Sequence, residues 1–178
     1  GLVGMGRIGQ AMARRARGFD MTVIYCDPRG LGEEEEKKLG VRLVSFEELL
    51  GQADFISLHP ALNDETHHMI GPRQFALMKR TAFLINTSRG PIIDEKALAQ
   101  ALAEGRLAGA GIDVYEHEPK IERALLTMNN VVLTPHLGSA VMELRERMAH
   151  VVVDNIAAIA EGRLPPNCIN PAVFASGA

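Results

Sequence analysis

Three glycines near the start of the chain constrain its fold more than any other feature. Gly4, Gly6 and Gly9 form the pattern G-x-G-x-x-G within the opening stretch GLVGMGRIGQ. In this pattern the first glycine permits a tight turn, the second lets the backbone approach a pyrophosphate, and the third lets a helix pack against its strand. The sequence therefore predicts a strand, a turn and a helix whose first amides, those of Arg7 and Ile8, bind a dinucleotide phosphate.

The rest of the chain alternates short apolar runs with helical patterns, which indicates parallel strands joined by crossover helices. The runs are nearly continuous in apolar character, as is typical of strands covered on both faces. We therefore expect the α/β class, with a doubly wound, Rossmann-type parallel sheet of about seven strands and helices on both faces. The runs are GLVGM, TVIYC, VRLV, ADFISL, TAFLIN, GAGIDV and NVVLTP.

The helical patterns differ in length and character. Ile8, Met12 and Ala16 share one face of the helix that follows the glycines, and the charged residues 32–40 are typical of a short solvated helix. The longest helix is predicted over residues 139–161, because apolar residues recur there at steps of three or four. These residues are Leu144, Met148, Val152, Ile156 and Ile159.

Charge and composition exclude several classes of function. The net charge of −3 gives no electrostatic basis for binding nucleic acid or an anionic membrane, and no apolar run approaches the length of a membrane span. Cys26 and Cys168 lie far apart without metal-ligand spacing, so we expect a reducing, cytoplasmic compartment. No metal site is predicted. We expect structural or exposed roles for five histidines: His59, His67, His68, His117 and His150.

Asp27 ends the second apolar run, eighteen residues after Gly9. An acid at this place accepts hydrogen bonds from both adenosine-ribose hydroxyls of NAD and repels the 2′-phosphate of NADP. The stretch DPRG is also ordinary turn chemistry, and Arg29 is a cation that could accommodate that phosphate. We predict NAD as the cofactor, with NADP as the alternative.

Three later stretches carry polar residues just after predicted strands, at the ligand-binding edge of an open parallel sheet. INTSRGPIIDEKAL provides Arg89, and GIDVYEHEP provides Asp113 and Glu118. LTPHLGSA provides His136. A histidine beside a glutamate can exchange a proton with a substrate near neutral pH, and a forked arginine can bind and orient an anionic one.

Together these stretches resemble the D-isomer-specific 2-hydroxyacid dehydrogenases, and PHLGSA with the later PPNCINP is most similar to the glyoxylate/hydroxypyruvate reductase branch. The resemblance implies reduction of glyoxylate or hydroxypyruvate by a homodimer, with Arg89, Glu118 and His136 as catalytic residues. It implies that His136 donates the proton and that Asp113 lies against the nicotinamide. Four further residues are implied to line the cofactor: Pro60, Thr87, Gly138 and Ser139.

In the family that the chain resembles, the cofactor domain is inserted into a second domain that binds the substrate. We therefore expect residues 1–164 to form the dinucleotide-binding domain. Residues 165–178 are expected to form an extended tail that returns toward a substrate domain absent from this chain. Only three residues precede Gly4, whereas strands usually have about 5–6 residues. The first strand is therefore expected to be cut, and the chain by itself is expected to be poorly active.

Two other functions remain open on the sequence. One is a phosphoglycerate dehydrogenase-like enzyme. The other, of a different class, is a non-enzymatic NAD(H)-binding module that resembles the dehydrogenase-like transcriptional corepressors, which retain a similar arginine, glutamate and histidine. A formate-oxidising relative is disfavoured, because that branch has glutamine where this chain has Glu118.

Overall fold

A seven-stranded parallel sheet organises the chain in the computed structural model, which describes residues 1–175. The strand order is β3-β2-β1-β4-β5-β6-β7, and each neighbouring pair is parallel. The order reverses at β1, so the crevice outside the carboxyl ends of β1 and β4 is the topological switch point. The predicted fold class is confirmed. The strands are β1 Leu2–Val3, β2 Val23–Cys26, β3 Val41–Leu43, β4 Phe55–Leu58, β5 Phe83–Asn86, β6 Gly109–Ile112 and β7 Val131–Leu133.

The charged helix predicted at residues 32–40 is present as α2, Glu33–Leu39, and the long helix begins at Met142, three residues later than predicted. Its start is delayed because the N–H of Ala140 donates to the carbonyl of Leu137 in a turn. Two short 3₁₀ turns follow β5 and β6, at Gly90–Ile92 and Arg123–Thr127. The helices are α1 Arg7–Arg17, α2 Glu33–Leu39, α3 Phe46–Gln52, α4 Pro72–Leu77, α5 Glu95–Ala103, α6 Met142–Ala160 and α7 Ala172–Ala175.

Alternate residues of β1 and β2 enter two separate apolar cores. Leu2 and Tyr25 pack with Ala13 of α1 in the smaller core. Val3 and Ile24 enter the larger core. Because successive side chains of a strand point to opposite faces, helices cover both faces of this part of the sheet. The larger core takes residues from α3, α4 and α5, among them Leu49, Phe75 and Leu98.

The buried face of α1 is not the face that Ile8 and Met12 share. Ile8 is 66 % exposed, whereas Gly9 and Ala13 are buried. A Cβ atom at Gly9 would lie 2.2 Å from the carbonyl oxygen of Gly4, so a residue larger than glycine would clash with the backbone of the turn. The helix therefore packs against the sheet through its smallest residues.

The chain divides into two compact units, residues 1–136 and residues 137–178. The first unit contains the sheet and α1 to α5, and the second contains α6 and α7. The apolar residues that predict α6 are between 44 % and 61 % exposed. The proposed domain boundary at residue 164 remains a prediction, and the last three residues of the predicted tail, 176–178, lie outside the described residues.

Within residues 1–175, no helix is both long enough and apolar enough to cross a membrane.

Candidate active site

The glycine turn after β1 is closed on one side and open on the other. Gly4 has a φ of 90°, a left-handed conformation that residues with a side chain rarely adopt. A Cβ atom there would also lie 2.9 Å from the carbonyl carbon of His59. At Gly6 the same test finds no atom within 4 Å. Gly6 is the N-cap of α1, and the first N–H groups of a helix, here those of Arg7 and Ile8, lack acceptors within the helix. The turn therefore has both the space and the donors that a pyrophosphate needs.

Asp27 follows β2, and its carboxylate braces the glycine turn. Oδ2 accepts a hydrogen bond from the N–H of Met5 at 2.8 Å, and Oδ1 accepts one from the N–H of Arg29 at 3.0 Å. A carboxylate has about four acceptor positions, so each oxygen retains capacity for a ribose hydroxyl. Asp27 thus orders the loop and also offers the acceptors that its place in the sequence predicts.

A cleft of about 640 Å³ lies at the switch point of the sheet. Its walls come from the segments that follow β1, β4 and β5. It brings together five of the predicted site residues, which are Arg7, Ile8, Pro60, Thr87 and Arg89. The cleft therefore places the start of α1 and the predicted substrate-binding arginine in one cavity.

His59 lines the same cleft, and its Nε2 is buried without a hydrogen-bond partner among the described residues. Burial lowers the pKa of this imidazole, because a charged ring would lose its hydration. A buried polar atom without a partner carries a free-energy cost in the unliganded fold. The nitrogen is therefore a polar atom that the fold leaves unsatisfied beneath the wall of the cleft.

A buried asparagine fixes the loop that carries Arg89. Asn86 is 1 % exposed at the end of β5, and its Nδ2 donates to the carbonyl of Arg89 at 2.9 Å. Its Oδ1 accepts from the N–H and the Oγ of Ser88 at 3.0 and 2.9 Å. Both ends of the amide are therefore used inside the loop, and Arg89 is displayed from a rigid support. The sequence analysis did not identify Asn86. Its position at a strand end, just before Thr-Ser-Arg-Gly, was the one sequence signal of a role in this loop.

His136 and Glu118 form a hydrogen-bonded pair. Nδ1 of His136 lies 3.2 Å from Oε1 and 3.1 Å from Oε2 of Glu118. Oε1 also accepts the N–H of Tyr115 at 3.1 Å. The bond from His136, and to a smaller extent the bond from Tyr115, lowers the pKa of Glu118. Because Nδ1 faces the carboxylate, Nε2 is the ring nitrogen that can exchange a proton with a substrate.

The backbone of His136 is held in an uncommon conformation by Asp113. His136 has a φ of 56°, and its N–H donates to the carbonyl of Asp113 at 2.9 Å. Asp113 is 7 % exposed, its N–H donates to the carbonyl of Asn86 at 3.0 Å, and its Oδ1 accepts from Oγ1 of Thr134 at 2.5 Å. Left-handed residues of this kind cost about 1–3 kcal/mol and persist where their surroundings hold them. Asp113 therefore joins the ends of β5, β6 and β7 beneath the histidine, and its role toward the nicotinamide remains a prediction.

Gly138 and Ser139 belong to the second unit, and their predicted contacts with a cofactor remain predictions. In the part of the chain that the structure describes, no group of three or more histidine, cysteine, aspartate or glutamate side chains is arranged to hold a metal ion.

Replacing His136 with alanine is expected to raise the pKa of Glu118 toward its ordinary value of 4.5, because the main hydrogen bond to the carboxylate is lost. A lowered pKa in the folded chain means that the pair favours folding above that ordinary value, and that this contribution is lost as the pH falls through the lowered pKa. Titration of the Glu118 carboxyl carbon by NMR measures the change, with His150→Ala as the control. An identical Glu118 titration in both variants would contradict the pairing.

Comparison with known proteins gives one consistent family. Residues 1–138 match the family described as D-isomer specific 2-hydroxyacid dehydrogenase, NAD binding domain. The chain is 52 % identical over 176 residues to the glyoxylate reductase of Thermococcus litoralis, and this match covers 99 % of the chain and 53 % of that protein. The chain thus spans about half the length of the curated relatives that it matches.

Solved structures agree with the sequence comparison. A glyoxylate reductase from Paecilomyes thermophila has a TM-score of 0.83 at 45 % identity, over 92 % of this chain and 49 % of that one. The D-lactate dehydrogenase of Lactobacillus jensenii, solved with NAD+, has a TM-score of 0.82 at 32 % identity, over 93 % of this chain and 53 % of that one.

Proposed function

Since the chain belongs to the D-isomer-specific 2-hydroxyacid dehydrogenases and matches their NAD-binding domain, we propose that the protein reduces a small 2-keto acid with NADH. Glyoxylate and hydroxypyruvate are the proposed substrates, and the corresponding 2-hydroxy acids are the products. The similarity to a glyoxylate reductase supports this substrate class. The observation that carries the proposal is the His136–Glu118 pair, which follows strands of the same parallel sheet as the cleft that Arg89 lines.

The cofactor fits the residues that are present. The first amides of α1, those of Arg7 and Ile8, support binding of the pyrophosphate, and the carboxylate of Asp27 supports binding of the adenosine ribose. Pro60 and Thr87 line the adjoining cleft. When bound there, the nicotinamide supplies the hydride.

The remaining steps are performed by three side chains. Arg89 offers a permanently charged, forked donor that binds and orients the keto acid. The hydrogen bond to Glu118 keeps a proton on Nδ1 of His136, so the transferable proton is carried on Nε2. His136 enters the reduction as the imidazolium, whose charge Glu118 compensates. Its Nε2 proton neutralises the alkoxide as it forms and leaves a neutral ring that keeps the proton on Nδ1, and in the reverse direction Nε2 takes the proton from the alcohol.

An assay of the protein that carries this chain tests the proposal. NADH oxidation is measured with glyoxylate, hydroxypyruvate, pyruvate and 3-phosphohydroxypyruvate. Turnover of the first two with the highest kcat/KM supports the proposal. A preference for 3-phosphohydroxypyruvate would identify a phosphoglycerate dehydrogenase-like enzyme instead, and NADH binding without turnover of any of the four would identify a binding module.

NADH is expected to bind the chain more tightly than NADPH, by about tenfold or more, equivalent to about 1.4 kcal/mol. The Asp27 carboxylate accepts ribose hydroxyls and repels the additional phosphate. Calorimetric titration of the chain with each dinucleotide measures the preference, and Asp27→Ser is expected to reduce it. Tighter binding of NADPH, abolished by Arg29→Ala, would show that Arg29 dominates the selection.

A homodimer in a reducing, cytoplasmic compartment is part of the proposal. The apolar side chains that α6 exposes support self-association. Cys26 and Cys168 are both free thiols, which suits a reducing compartment. The net charge of −3 gives no support for a nucleic-acid or membrane partner.

A further inference from the structure

A second histidine–glutamate pair follows the strands of the same sheet. Nε2 of His68 lies 2.9 Å from Oε1 of Glu116, across 48 residues of sequence, and the Glu116 side chain is only 16 % exposed. The other oxygen, Oε2, accepts the N–H of Glu95 at the start of α5, at 3.2 Å. One carboxylate therefore bonds to two other segments, the loop after β4 and the N-terminus of α5.

Glu116 has several titratable and charged neighbours, and among the described residues they are not arranged to hold a metal ion. Glu95 is 8 % exposed, and burial raises the pKa of its carboxyl. His117 is 78 % exposed, with its Nε2 3.8 Å from Oε1 of Glu116. The His67 ring stacks on His68 at a centroid distance of 4.1 Å. Four more charged residues line the adjoining cavity of about 410 Å³: Asp94, Lys96, Lys120 and Glu122.

The loop that carries Glu116 also carries Glu118, and it abuts the loop of Arg89. A Cβ atom at Gly90 would lie 1.9 Å from the carbonyl of Tyr115, so the two backbones are in direct contact. Tyr115 is also the residue whose N–H holds Glu118. A shift of this loop would therefore move the carboxylate that faces the catalytic histidine.

The loop after β4 is hydrogen-bonded to the Arg89 loop. His68 has a φ of 49°, and its N–H donates to the carbonyl of Pro91 at 2.8 Å. Ile70 and Ile93 form a parallel bridge just beyond. The side chain of His68 then reaches Glu116 from a backbone that is fixed against the Arg89 loop.

We propose that His68 and Glu116 are positioning residues of the reductase, which hold the Glu118 loop against the Arg89 loop so that Glu118 meets His136. The catalytic consequence rests on the proposed function, whereas the geometric consequence does not. Neither residue touches the reacting atoms. Their loss acts through the placement of Glu118, and a misplacement of about 1 Å costs up to about 10²-fold in rate.

The test compares three variants of the protein that carries this chain. His68→Ala is expected to lower kcat by about tenfold or more with the KM for NADH unchanged. His68→Gln, whose Nε2 is also a donor, is expected to restore most of the rate. His117→Ala, which removes an exposed neighbour of Glu116, is expected to behave as the parent.

The pKa of Glu118 tests the positioning role of His68 independently of catalysis. In the 178-residue chain, His68→Ala is expected to raise the pKa of Glu118 part of the way toward 4.5, as measured by NMR, while His68→Gln and His117→Ala leave it in place. If His68→Ala does not fold, Glu116→Gln replaces it, because the glutamine keeps the bond to Glu95 and loses the anionic acceptor. An unmoved Glu118 titration overturns the inference even if kcat falls, and a moved titration supports it even if no substrate is turned over.

Discussion

Replacement of His136 by alanine is expected to lower kcat for 2-keto acid reduction by about 10²–10⁴-fold, the range that a positioned acid–base group contributes. The imidazole is oriented by Glu118 through Nδ1, and its backbone is held by Asp113, so His136 is prepared to deliver the proton. NADH affinity is expected to remain nearly unchanged, because His136 does not line the cleft beside the glycine turn.

Steady-state kinetics and calorimetric titration with NADH separate these two effects. His150→Ala, in the exposed part of α6, is the matched control and is expected to retain the parent rate. A His136→Ala variant with an intact kcat would mean that another group donates the proton. A variant that has lost NADH binding as well would assign His136 to the cofactor site.

Arg89→Gln is expected to reduce kcat/KM for glyoxylate by about 10²-fold or more, since breaking a desolvated, hydrogen-bonded charge pair typically costs about 2–5 kcal/mol. Glutamine removes the charge and the forked donor but keeps a polar side chain, so the Asn86 support of the loop is expected to survive. Arg89→Lys is expected to recover part of the loss, because a lysine supplies the charge without the bidentate geometry.

Initial rates over a range of glyoxylate concentrations measure the effect of Arg89→Gln. Arg80→Gln is the matched control, since Arg80 is an exposed arginine that precedes β5 instead of following it. Equal losses in both variants would indicate a general effect of charge. No loss in Arg89→Gln would remove Arg89 from the substrate site.

The fold was predictable because its signals are local. The alternation of apolar runs and helical patterns predicts the strands, and the glycine pattern predicts the turn at Gly4. The packing of α1 was not predictable from periodicity, because a close approach of helix and strand selects Gly9 and Ala13 over the larger Ile8 and Met12. The start of α6 was also missed, since a local turn at Leu137 delays it.

The reactive side chains of the candidate site could be predicted from the sequence, but the hydrogen bonds that hold them in place could not. Arg89, Glu118 and His136 follow predicted strands, and residue type and position together suggest them. Asn86 braces Arg89 through a bond within their loop, and the backbone of Asp113, a residue predicted for a different role, bonds to Asn86 and to His136. The position of Asn86 at a strand end was a signal for its role, whereas the bonds of Asp113 depend on how three segments meet in space and have no signal in periodicity or spacing.

Transfer of deuterium from NADH labelled at both C4 hydrogens tests directly whether the protein reduces glyoxylate. The protein that carries this chain is incubated with the labelled cofactor and glyoxylate, and the product is analysed by mass spectrometry and NMR. We expect glycolate with a single deuterium at C2, formed at a rate in the usual enzyme range of about 1–10³ s⁻¹ and strongly reduced by His136→Ala. Saturable NADH binding with no labelled glycolate would contradict the proposed reductase and would favour a non-enzymatic NAD(H)-binding module.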